Sequence, residues 1–190
     1  MSQETKELAL ILRDRLREKH KLQEYHRHAV SYLFKVFEEM VNELKIDLQG
    51  YGGDPNQVKM YKAPSGDFIV VKMGDSLTTV FAMPDIKLCS VEVQGQSGLC
   101  GRVVVFQGDY RSLEVDDPEQ LAAIEEDSLF IFPDSVLYHI VSPVGLHRTD
   151  VPRFAHLVLS RMIQKDNAHY SPLLDEIVQQ QDQKYPQQHG

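Results

Sequence analysis

An α+β architecture, with helices packed on a mainly antiparallel sheet, is what this 190-residue sequence predicts, and two changes of pattern predict it. Up to residue 48 the apolar residues recur three or four apart, the period of a helix. From 57 to 160 they alternate or form short runs bounded by Gly, Pro and Asp, as strands do. After residue 170 the pattern returns to a short helix followed by a Gln-rich stretch. The organisation is therefore an N-terminal helical segment (1–48), a β-rich domain (57–160), and a C-terminal helix with a flexible tail (171–190).

In the first segment Leu8, Leu12, Leu16, Leu22, Tyr25, Ala29, Leu33, Phe37, Met40 and Leu44 form the stripe. The irregular step from Leu16 to Leu22 predicts two helices, or one bent near Lys19 to Lys21. No Gly or Pro interrupts the stretch, so a single long helix is the alternative. The second half is the more apolar and is expected to be the more deeply buried. Were its stripe from Ala29 to Leu44 exposed, it would serve a homodimer or another partner helix; buried on the sheet, it is core. His20, Glu24 and His28 share one helix face at i, i+4 spacing, a geometry that either holds a metal or forms a solvated charged face.

Gln49 to Asn56, rich in turn formers, stops the helix. Val58–Tyr61 and Phe68–Met73 read as a hairpin around Ala63–Asp67, and Leu77–Met83, Leu88–Val93 and Val103–Phe106 continue the antiparallel pattern, with Gly95 to Gly98 as a connection. Asp117, Pro118 and Gln120 have the N-cap, N1 and capping-box order of a short helix ending near Glu125. Leu129–Phe132 is a buried strand. In Val136–Val141 His139 shares a face with Leu137 and Val141, so it points into apolar surroundings. Beyond a Pro143 and Gly145 loop, Arg153 opens a third strand on the face of Ala155, Leu157 and Leu159, where it needs a carboxylate partner.

A net charge of −8 argues against a nucleic-acid or anionic-membrane surface. Cys89 and Cys100 have neither zinc-site nor disulfide-framework spacing, and no segment reads as a signal peptide or membrane span, which places the chain in the cytoplasm.

The order Leu129-Phe-Ile-Phe-Pro133, His139, Val141-Ser-Pro-Val144, Arg153-Phe-Ala resembles the C-terminal half of the double-stranded β-helix (jelly-roll, cupin-like) in Fe(II)- and 2-oxoglutarate-dependent oxygenases of the prolyl-hydroxylase type. Gly101-Arg-Val-Val-Val-Phe106 resembles the strand after that family's Gly-Gly pair. The resemblance implies His139 as the distal iron ligand, Arg153 as the partner of the far carboxylate of 2-oxoglutarate, Tyr61 as a second carboxylate contact and Asp75, 64 residues before His139, as the metal carboxylate. Where the first iron histidine belongs stands Met73, or Lys72 one position earlier, and neither replaces an imidazole. A third ligand would come from His147, His156 or His169. The resemblance thus implies either an active dioxygenase with such a ligand or a silent, degenerate relative binding a small carboxylate or a protein or peptide partner. The other class the sequence allows is a non-enzymatic α+β adaptor or assembly protein acting through its long N-terminal helix.

Overall fold

The computed structural model of the chain describes residues 3–83, 87–93, 96–108, 124–132, 136–141 and 145–166. Of the helix expected from Asp117 to near Glu125, residues 117–123 lie outside them, as do the helix and tail beyond 170 and His169, while Glu125 stands in a strand rather than in that helix.

The N-terminal segment is one helix, α1 (Gln3–Gly50), and the expected break near Lys19 is absent because nothing there removes a backbone donor. It ends in a Schellman motif: Gly52, at φ 79°, donates to the Gln49 carbonyl at 3.0 Å, and Gly53 donates to that of Leu48 at 2.8 Å. Asp54 then caps a single 3-10 turn, Pro55–Gln57, by accepting from the Asn56 N–H.

Among the described residues eight strands follow: β1 (Val58–Lys62), β2 (Phe68–Met73), β3 (Ser76–Ala82), β4 (Lys87–Val93), β5 (Gln96–Gln107), β6 (Glu125–Ile131), β7 (Leu137–Val141) and β8 (Gly145–Thr149). The hairpin expected at 58–73 is β1–β2, closed by Gly66 at φ 78°. The long strand β5 takes in Gln96 to Gly98, which the sequence offered as a connection. All pairings are antiparallel and run β1-β2-β3-β5-β6-β7-β8, with β4 paired to the first half of β5. A jelly roll brings strands distant in sequence side by side. Among the described pairs only β3–β5 skips a strand, so the sheet is a meander with one hairpin set into it.

The third strand expected at Arg153 is instead a helix, α2 (Val151–Asp166). Val151, Phe154, Ala155, Val158, Leu159 and Met162 are all buried, at helical spacing. Asp150 provides the start: its Oδ1 accepts the Arg153 N–H at 2.8 Å, and its carbonyl accepts that of Phe154. Pro152 sits in the first turn, where its missing donor costs nothing. Because apolar residues also fall at 155, 157 and 159, period two and period 3.6 both fit this stretch. The cap decides.

α1 and α2 lie together on one face of the sheet. Val30, Leu33, Phe34, Phe37 and Val41 of α1 and the α2 stripe meet Ile69, Val71, Val80, Val103, Val105, Leu129 and Ile131 in the main core. The stripe from Ala29 to Leu44 is thus core, as expected of it when covered by the sheet. On the other face Phe68, Val70, Phe81, Val104 and Phe106 form a second cluster, and Cys100, Phe130, Phe132 and Tyr138 a third.

Candidate functional site

The sheet register and the start of α2 fix where the four site residues of the oxygenase resemblance stand. β7 pairs with β6 as Leu129 with His139, and β6 with β5 as Val103 with Leu129. His139 therefore continues the row Ala82–Val103–Leu129 on the helix-covered face. It is 4% exposed, and its ring lies 6.3 Å from that of Phe154 on α2. The sequence expectation of an apolar setting for His139, beside Leu137, agrees with this placement.

Arg153, in the first turn of α2, is near enough for its charge to act on His139, as are His147 across the β7–β8 pair and Arg161 further along α2. Burial first, and then the coulombic influence of Arg153, His147 and Arg161, pushes the His139 imidazole down to about 4, so it is neutral at physiological pH. Its Nδ1 is buried with no hydrogen-bond partner.

Asp75 and Tyr61 are elsewhere. Asp75 is exposed in the two-residue turn between β2 and β3, beside Gly74 at φ 58°. From there to the His139 row is about 23 Å along β3 and roughly 14 Å across three strand spacings. Tyr61 alternates onto the opposite face of the sheet, half exposed, with its ring 6.2 Å from that of Phe68. The facial triad of an iron centre needs three ligands around one point. Asp75 and His139 do not supply it, and among the described residues no three His, Cys, Asp or Glu side chains are grouped to hold a metal. Among the described residues the side chains brought together here do not fit the iron. His156 faces Ser160 one helical turn on, 3.4 Å from Nδ1 to Oγ. His20 and Glu24, 3.6 Å apart, are both well exposed, the solvated face of the two alternatives.

Three polar groupings were not foreseen. On the helix-covered face Asp127, with its side chain 1% exposed, accepts from Arg161 Nη1 at 2.5 Å and from the Ser128 N–H at 2.9 Å. Burial raises its carboxyl above the ordinary range, against the opposing pull of Arg161. The space beside this pair, lined by Thr78, Val105, Glu126, Val158 and Met162, is about 10 Å³, room for about one water and none for a carboxylate ligand. On the other face Arg102 bonds Glu125 and, at 3.0 Å, Ser128 Oγ, with its guanidinium 5.6 Å above the Phe130 ring. Ser128 Oγ also donates to Glu125. The third is His26 on α1, seated against Gly101, with burial lowering its pKa against a hydrogen bond to the Arg102 backbone. The sequence signal for the last was Gly101 itself, a residue without a side chain in the middle of an apolar strand.

The most conspicuous surface is the start of α1. Every side chain from Thr5 to Lys21 is exposed, whereas Leu22 is fully buried. Leu8, Leu10, Ile11, Leu12 and Leu16 are 49–66% exposed. They stand on roughly 25 Å of helix that touches none of the core clusters. Isolated surface leucines are ordinary, but five within nine residues form a patch. Among the described residues no helix is long and apolar enough to cross a membrane.

Comparison of the chain with protein-family models, with curated proteins and with solved structures gave no match in any of the three.

Proposed function

We propose that the protein is a non-enzymatic adaptor or assembly factor that presents the first part of α1 to a protein partner. One observation carries this reading: α1 continues as an intact helix through Thr5 to Lys21 with its large apolar side chains in water. A solvated helix of this length is marginal by itself, and its apolar face gains stability from whatever covers it. The folded body, from Leu22 onward, holds the helix in register and in place, which lowers the ordering cost of binding. The test is a photo-crosslinking residue at position 12 of the full chain, activated in living cells. A discrete crosslinked protein product, absent when the residue is placed at exposed Lys59, is expected; the same pattern at both positions sinks the reading.

A second reading, the silent oxygenase-like domain binding a small carboxylate, has one observation in its favour: the buried, unpartnered Nδ1 of His139 with Arg153 nearby. Calorimetry of Mn(II) and of 2-oxoglutarate on the native protein and His139→Ala decides it. Heat from 2-oxoglutarate that disappears in the variant supports it, and no heat from either ligand removes it.

A further inference from the structure

Resting on the adaptor reading, the chemistry of the exposed helix narrows the kind of partner. Leu8, Ala9, Leu10, Ile11 and Leu12 are consecutive. At 100° per residue five such positions pass round the whole circumference of a helix. A helix that docks one face on a flat surface needs a stripe about a third of that wide. An apolar turn facing all directions is matched by an environment that covers it on most sides.

The next turns carry Arg13, Arg15, Arg17, Lys19 and Lys21, all exposed. Two-residue steps of 200° spread these cations around the helix as well. From Thr5 to Lys21 six cations, counting Lys6, stand against Glu7, Asp14 and Glu18, a local +3 in a chain whose net charge is −8. One of these cations, Arg13, is already bonded to its neighbour Asp14.

Two occupants are disfavoured by those charges. A second copy aligned in parallel sets five cations against five; aligned antiparallel about Leu12, it offers them only the start of the helix, where Glu4, Lys6 and Glu7 sum to a single negative charge. A bilayer that took in the apolar turn would also have to take in Lys6 and Glu7 beyond it, which is costly. What complements an apolar turn followed by a basic collar is a groove that is apolar within and acidic at its rim.

We propose that residues 5–21 of α1 seat in such a groove on another protein, the apolar turn from Leu8 to Leu12 inside and the basic collar from Arg13 to Lys21 against the acidic rim. The groove closes around the helix.

Calcium-loaded calmodulin, whose lobes have this chemistry, serves as the probe in titration calorimetry with the full-length protein. Binding in the micromolar range or tighter is expected. It should weaken at least tenfold in Leu8→Asp/Leu12→Asp, weaken severalfold in Arg13→Glu/Arg17→Glu, and in the native protein fall as salt is raised. Both variants change only exposed positions, and an unaltered denaturation midpoint shows that each is folded. No binding, or binding indifferent to both variants, overturns the proposal. So does a concentration-dependent dimer in analytical ultracentrifugation that Leu8→Asp/Leu12→Asp abolishes, which would make a second copy the occupant, or flotation with phosphatidylserine vesicles lost in the same variant, which would make it a membrane. If any of these occurs while position 12 still crosslinks to a protein in cells, the adaptor reading stands and only the partner's chemistry is wrong.

Discussion

Leu33, Phe34, Phe37 and Val41 of α1 are at most 1% exposed, while Leu8, Leu12 and Leu16 of the same helix are 58–66% exposed. Both sets recur at helical spacing, and α1 runs unbroken through them. The difference lies outside the helix: among the described residues the sheet face and α2 cover the stripe from Ala29 onward, and no core cluster reaches Leu8 to Leu16. Amphipathic periodicity therefore states that a helix has a face to bury. It does not state whether the chain itself buries it.

Substitutions that break this contrast rank by what each side chain touches. Phe34→Ala or Phe37→Ala should destabilise most, by about 3–5 kcal/mol in urea unfolding, because each empties a fully buried site. A loss under about 1 kcal/mol would mean that this half of α1 is not core.

The contact of α2 with the sheet is tested next, at its two buried ionisable groups. Arg161→Met leaves the Asp127 carboxyl buried without its cation and should cost about 3 kcal/mol at pH 7. The cost should shrink as the pH is lowered, since a protonated carboxyl needs no partner.

For His139 the folded value lies below the unfolded one, so its contribution is fully present above pH 6.5 and is lost as pH falls from 6.5 through about 4. The whole interval corresponds to roughly 3 kcal/mol. Urea midpoints across this range should therefore fall less steeply in His139→Leu than in the native protein. Identical slopes would show that His139 does not titrate in the folded state.

A smaller effect is expected where α1 first meets the sheet. A methyl at position 101 would lie 2.3 Å from His26 Cδ2, so Gly101→Ala should cost about 1–3 kcal/mol. Adding His26→Ala should recover part of it, a coupling that independent sites would not show. The smallest effect belongs to the other half of the helix: Leu12→Ala should change the unfolding free energy by no more than about 0.5 kcal/mol. A large loss there would mean that Leu12 is already covered within the chain.

Along the chain, legibility follows how local each signal is. The glycine-rich stop after α1, the β1–β2 hairpin and the inward face of His139 were readable because each depends on neighbours a few residues away. The strand that the sequence predicts from Arg153 is part of a helix from Val151, because its apolar residues satisfy two periods and only the Asp150 cap and Pro152 separate them. Of the candidate site, His139 and Arg153 come near one another, though Arg153 does so from a helix, while Asp75 and Tyr61 are carried to a distant turn and to the opposite face. Sequence separation could not foresee this, because the strand order that sets those distances is a long-range property.

The sequence by itself determined the α+β class, the amphipathic helical period up to residue 48, though not that it forms one unbroken helix, and the alternation that turns His139 inward, since period and capping act within a few residues. Only the tertiary structure decided that Asp127 pairs with Arg161, that His26 fills the space left by Gly101, and that the sheet meets α1 from His26 onward while Leu8 to Leu16 stand exposed. Those outcomes depend on which surfaces meet, and burial is a property of the meeting rather than of either segment alone.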